Sequence, residues 1–329
     1  MPLSGLFIGL LLGVVLQRGQ FCLSRQLHNI VFQRNLTALS PLLLLIAIQA
    51  IGFFLLEQQG LIRLPSSPMP ITATLFGAFL FGVGMSVANR CVTGHLYRSG
   101  EGSILGWITL LIFALTTTAT QTGMLKFWVA NMLQSQSQLV TVPQSLAISP
   151  LYFILPLSAL AIIAVIKSKR TASFFPSGFS APWSPHFTAL LIGLISIAAW
   201  WSSAQTGREF GLSFSIPLGN SVQYVVLGQQ RYLNWGTYLI FGIVIGAFLS
   251  AWQGKKLLWK SLSAAEFGKS TAGGILMGIG AALTGGCTMA NAVVGTAYFS
   301  WQAWIAALMM MLGVYCYHTV KQNIIHSTN

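Results

Sequence analysis

Nine apolar segments limit what this chain can fold into. They fall near residues 3–16, 36–56, 71–88, 103–124, 151–166, 187–203, 236–252, 271–284 and 298–318. The longer ones approach the roughly 20 residues that carry a helix across a bilayer. Runs such as "PLLLLIAIQAIGFFLL" at 41–56 do not alternate, as the ~10-residue strands of a membrane β-barrel must. Only 6% of the 329 residues are charged and four are acidic, which cannot cover a soluble surface that typically carries about 25% charge. The expected fold is an all-α polytopic membrane protein of about nine transmembrane helices plus broken or re-entrant segments, with membrane lipid as its first partner.

The formal net charge is +13. Basic residues collect in cytoplasmic loops and orient the helices. That accounts for Lys167, Lys169 and Arg170, and for Lys255, Lys256 and Lys260. Arg18, Arg90 and Arg208 lie instead beside apolar segments and glycine-rich breaks, where an anion-attracting field is the competing explanation. Nucleic acid is not an expected partner, since no single soluble basic patch forms. The 125–150 loop, rich in Gln and Ser, is placed outside; 253–270, with four lysines, is placed in the cytoplasm. The N-terminal run lacks a leading Lys or Arg and an A-x-A-like cleavage site. Gly5, Gly9 and Gly13 recur every four residues, which suits a retained, closely packed first helix.

An internal repeat organises the rest. "GVGMSVANRC" at 82–91 matches "GIGAALTGGC" at 278–287: Gly-x-Gly, six residues, then Cys. About 70 residues upstream of each, "GQFCLS" at 19–24 echoes "REFGLS" at 208–213, with Cys22 facing Gly211. The division expected is a first membrane repeat over 1–166, a cytoplasmic connector over 167–186 containing Pro176, Pro182 and Pro185, and a second repeat over 187–329. Together they are expected to form one transmembrane domain of two pseudo-symmetric, inverted repeats. Corresponding interrupted segments in two repeats point to a transporter's binding site.

The interruptions carry the chemistry. Gly285 and Gly286 precede Cys287, and a helix-compatible run through Thr288 and Asn291 follows, so the thiol sits near a helix N-terminus that favours an anion. Cys91, with Thr93 and Gly94 after it, occupies the matching break, and Cys22 a third. A constriction lined by backbone donors and three thiols suits a substrate with its own soft sulfur; phosphate or sulfate needs no thiol. For each cysteine the competing explanation is small-hydrophobe packing, which is preferred for Cys316. Arg98–Glu101 and Arg208–Glu209 read equally as local ion pairs, and His95 as a buried structural histidine. His28 and His186 have no distinguishing context. The four cysteines lack the close spacing of a metal or Cys-x-x-Cys redox site, so neither metal nor cofactor is expected. Two functions remain. One is a permease for a sulfur or selenium oxyanion. The other is a membrane sulfurtransferase forming a persulfide, with His95 activating Cys91.

At "LQRGQFCLS", "CVTGHLYRSGEGS", "TGREFGLSFS", "NWGTYLIFGIVIGAF" and "GGILMGIGAALTGGCTMANAVV" the chain resembles the YeeE/YedE family of membrane proteins. The resemblance implies an hourglass-shaped, multi-pass protein of the bacterial inner membrane that takes up thiosulfate for cysteine synthesis, with a small cytoplasmic TusA-like sulfur carrier as partner. It implies a relay of S–H···S hydrogen bonds through Cys22, Cys91 and Cys287, and no enzymatic activity. One departure stands out: the family commonly has Gly-Gly before its middle cysteine, and this chain has Asn89 and Arg90.

Overall fold

A computed structural model describes residues 3–32, 36–65, 68–168, 183–258 and 263–327. Nearly all of it is helix. In chain order the helices are α1 (Leu3–Gly19), α2 (Leu23–Val31), α3 (Leu39–Gln58), α4 (Ile71–Val87), α5 (Val92–Gly100), α6 (Ile104–Gln121), α7 (Lys126–Gln134), α8 (Val142–Leu146), α9 (Leu151–Ser168), α10 (Pro185–Ala204), α11 (Ser215–Leu227), α12 (Trp235–Gln253), α13 (Ala264–Leu283) and α14 (Trp301–Ser327). A π-helical stretch, Met289–Gly295, lies between the last two. The only sheet among the described residues pairs Met69–Pro70 with Gln136–Ser137.

All nine apolar segments appear as long helices. Eight helical stretches are long and apolar enough to span a membrane. α13 is the ninth; it is 20 residues long but begins with Glu266 and Lys269, which lower its apolar character. Two of the eight, Leu3–Val31 and Ile71–Gly100, each join a long helix to a short one across a break. Lys169, Arg170, Pro176, Pro182 and Lys260 lie outside the described residues.

The packing follows the logic of a bilayer, where lipid is as apolar as leucine and association depends on close backbone approach. On α1, Gly5, Gly9 and Gly13 face inward, while Leu3, Phe7 and Leu11 face out. A Cβ added at Gly9 would strike the Leu239 carbonyl, and one at Gly242 the Leu6 carbonyl. α1 and α12 therefore run parallel with glycine against glycine. α4 and α14 repeat the device: a Cβ on Gly82 would meet Met310, and one on Gly313 would meet Phe79. The partnerships come in corresponding sets, α1 on α12 with α10 on α3, and α4 on α14 with α13 on α6. α4 and α13 cross each other antiparallel, with Gly77 near Gly280, Gly84 near Met277, and Ala88 near Gly273.

Replacing Gly9 with leucine must separate α1 from α12 along their whole contact. Gly9→Leu is expected to abolish recovery of monodisperse protein after detergent extraction, whereas Phe7→Leu on the outward face leaves it unchanged. Size-exclusion chromatography of the two variants checks this.

Candidate functional site

Three helix breaks share one backbone solution. In each, a residue with left-handed backbone stands two positions before a cysteine: Gln20 (φ 47°) before Cys22, Asn89 (φ 60°) before Cys91, and Gly285 (φ 69°) before Cys287. The left-handed residue ends the first helix, and the next helix starts right after the cysteine. Asn tolerates this conformation and Gly has no Cβ to strain. This is why Asn89 can stand where the other half has Gly285.

The cysteines consequently cap helix N-termini. Cys22 and Cys91 are the extended residues just before α2 and α5. Their sulfurs stand 3.9 Å apart, and either can donate to the other. The main-chain N–H groups of Leu23, Ser24 and Gly94 face the Cys91 sulfur, and those of Cys91 and Arg25 face the Cys22 sulfur. Gly94 makes this approach possible: a Cβ there would come within 3.0 Å of the Cys22 sulfur and 3.2 Å of the Arg90 Cβ. Cys287 sits in a similar cradle, with the N–H groups of Phe214, Met289 and Ala290 facing it and Cys91 as an electrostatic neighbour. All three thiols are buried and none forms a disulfide. Cys316 is only partly buried, on α14 away from the breaks.

The Cys287 break is held by its own side chains. Thr284 Oγ1 donates to the Gly280 and Gly286 carbonyls, at 2.8 and 2.9 Å. Asn291 Nδ2 donates to the Gly286 carbonyl at 2.9 Å, and Gln302 Nε2 to the Thr284 carbonyl at 2.8 Å. Gly286 is needed because a Cβ there would press on the Ala290 Cβ at 2.7 Å. Thr288 Oγ1 is buried without a hydrogen-bond partner among the described residues. Thr93 is buried in the first turn of α5.

The Cys22 break is held by a buried polar network. Glu101, 2% exposed, accepts from Gln17 Nε2 (3.1 Å) and Gln20 Nε2 (2.7 Å) and pairs with Arg98 Nε at 3.1 Å. Arg98 also donates to Gln20 Oε1 at 3.2 Å, and Ser250 Oγ donates to Gln17 Oε1 at 2.7 Å. The Arg98–Glu101 pair is thus one edge of a clamp joining α1, α5 and α12. The glutamines had no signal in the sequence, since their partners lie some 80 to 230 positions away.

Cavities flank the breaks at opposite ends of α13, a helix about 30 Å long. At its C-terminal end a cavity of about 750 Å³ is lined by Arg208, Phe210, Trp235 and Gly285, among others. Arg208 is not bound to Glu209. Its Nη1 donates to the Phe210 and Gly211 carbonyls, at 3.1 and 3.2 Å, and its guanidinium lies 5.5 Å from the Trp235 ring. Burial pulls its pKa down to about 10, which leaves it cationic at neutral pH. At the other end a cavity of about 510 Å³ is lined by Asn89, Arg90, His95, Arg98, Glu266 and Lys269, among others. Arg90 lines this cavity, and its Nη1 reaches Tyr97 Oη at 3.4 Å. The His95 Nε2 is buried without a hydrogen-bond partner, and the side-chain partner of Cys91 is Cys22. Arg18 is buried at the end of α1, with its Nη1 beside Gly254.

Removing the Glu101 carboxylate strands two glutamine amides and an arginine. Glu101→Ala should cost about 2–4 kcal/mol, seen as a lowered thermal unfolding midpoint in detergent. Glu101→Gln keeps an acceptor oxygen and should lose clearly less.

The sulphur transport family matches residues 18–316, across every break described above. The thiosulfate transporter TsuA of Escherichia coli is 34% identical over 96% of this chain and 93% of its own. The protein of the same name from Spirochaeta thermophila is 27% identical over 94% and 96%. A probable transporter, YedE of Salmonella typhimurium, is 26% identical over 31% of this chain and 25% of its own. With the family matched over nearly its whole length and a relative above 30% identity along almost all of it, this multi-pass membrane protein belongs to the sulphur transport family and is a transporter, not an enzyme.

Proposed function

We propose that the chain is a thiosulfate permease of the bacterial inner membrane, in which Cys287, Cys91 and Cys22 hand the anion through a central constriction by S–H···S hydrogen bonds. The observation that carries this reading is the 3.9 Å approach of two free, buried thiols at two facing helix N-termini. A neutral thiol donates weakly to a soft sulfur, and the N–H groups around it suit the oxygens of the same anion. The unpartnered Thr288 hydroxyl beside Cys287 adds a donor that a passing anion would satisfy. Non-helical backbone at membrane depth is tolerated where it is buried in protein or lines a cavity, as these three breaks do.

Arg208 and its cavity form the entry funnel in this reading, and the cavity bearing Arg90, Arg98 and Lys269 the cytoplasmic exit. That basic exit is where a TusA-like carrier would collect sulfur. The inverted repeats over 1–166 and 187–329, with their connector at 167–186, draw support from the corresponding helix partnerships and from the antiparallel crossing of α4 and α13. The sulfurtransferase alternative draws less, because the side-chain hydrogen-bond partner of Cys91 is Cys22 and not His95.

Cys91→Ala and Cys287→Ala should each reduce uptake of labelled thiosulfate into proteoliposomes to background, with the fold intact by size exclusion. Normal uptake in both would end the relay. A stable persulfide on Cys91 after thiosulfate exposure, read by mass spectrometry, would favour the enzyme instead. Gly94→Ala, which forces the Cys22 and Cys91 sulfurs apart, should slow uptake several-fold while leaving all four thiols titratable.

A further inference from the structure

Behind the thiol pair lies a smaller cavity of about 210 Å³, lined by Ser24, Arg25, His28, Ser86, Asn89 and His318. Every one of these residues is polar. Two of them tie the cavity to the breaks: the Ser24 N–H faces the Cys91 sulfur, and Asn89 is the left-handed residue before Cys91. His28 on α2 and His318 on α14 meet edge to face with ring centroids 4.6 Å apart, and Phe32 stacks on His28. Two imidazoles brought together across helices nearly 300 residues apart in sequence are not needed for apolar packing.

The donors here are not committed to protein acceptors, and Arg25 and Asn89 are exposed. Among the described residues, neither imidazole and none of the Arg25, Asn89 or Ser24 side chains has a hydrogen-bond partner. Ser86 Oγ alone is engaged, donating to the Gly82 carbonyl at 3.0 Å. The charged neighbours are all cationic: Arg25 on α2 and Lys321 on α14, which acts electrostatically on His318. α4 and the break after it contribute only the neutral Ser86 and Asn89, and the other titratable groups at hand are the Tyr315 and Tyr317 phenols. No carboxylate lines the cavity. A divalent metal would face two fixed positive charges with two ligands, whereas an oxyanion would find donors on every side. The volume is several times that of one water, roughly 30 Å³, enough for a tetrahedral anion.

We propose that the cavity between α2, α4 and α14 is a second anion site, in which His28, His318, Arg25 and Asn89 take a tetrahedral divalent oxyanion as it leaves the Cys22–Cys91 pair. As a step of transport this rests on the permease reading; as a binding site it stands alone.

The test is equilibrium binding of sodium thiosulfate and, separately, sodium sulfate to the full-length protein in detergent, in a Cys91→Ala background that disables the relay. Both anions should bind. His28→Gln with His318→Gln should weaken binding of both several-fold. Arg25→Gln, at an exposed position that leaves the thermal midpoint unchanged, should also weaken it several-fold. Binding that persists unaltered in all these variants overturns the proposal. So does binding of thiosulfate alone that vanishes with Cys22→Ala, which would return the anion to the thiols. Stabilisation by zinc, dependent on the histidines, with no response to either anion would also overturn it. If wild-type protein binds both anions here yet moves no thiosulfate, the permease reading fails and the site survives.

Discussion

A helix that stops inside a membrane leaves N–H groups with no water to satisfy them, and the rest of this structure depends on how those groups are handled. Here three chains of N–H donors end on cysteine sulfurs. The helix start at Leu23 faces the Cys91 sulfur, the Cys91 N–H faces the Cys22 sulfur, and Cys287 is surrounded by donors from two elements. An unfilled donor cluster would be unstable in an apolar medium; a soft sulfur acceptor makes it tolerable. The same physical requirement therefore accounts for the fold at the breaks and for their chemistry.

Holding such breaks in register requires stiff surroundings. Glycine contacts lock α1 to α12 and α4 to α14 by direct backbone approach, so the ends of α1 and α4 have little room to shift. The Glu101 clamp then fixes Gln20, the residue that turns the chain towards Cys22. The two thiols meet because two separate pieces of scaffolding converge on Gly94, the only size of residue that leaves their sulfurs in contact.

Electrostatics is arranged along the molecule and not concentrated at the thiols. Arg208 is cationic in one cavity, Arg90, Arg98 and Lys269 occupy another, and Arg25 with the paired imidazoles a third. Sulfur and backbone dipoles line the breaks themselves. In the proposed permease a fixed cation between the thiols would hold a divalent anion too tightly to release, so charge in the flanking cavities and dipoles at the thiols would favour passage. Arg90 lines the second cavity, with its stem near Gly94 and its Nη1 3.4 Å from Tyr97 Oη.

Much of this was legible in order along the chain. The long apolar segments, the paired Gly-x-Gly-x6-Cys elements and the glycine spacing of the first helix are local patterns, and local patterns survive in a linear sequence. They determined the helical membrane class, the positions of the breaks and the three cysteines of interest. What only the tertiary structure decided is which groups meet across distant segments. Cys22 and Cys91 are 69 residues apart and in contact, Gln17 and Ser250 are 233 apart and hydrogen-bonded, and His28 finds His318. Gly94 read as part of a generic break until its missing Cβ proved to be the space between a thiol and Arg90. No periodicity encodes such meetings, because they are set by how whole helices pack, and packing depends on every contact along their length.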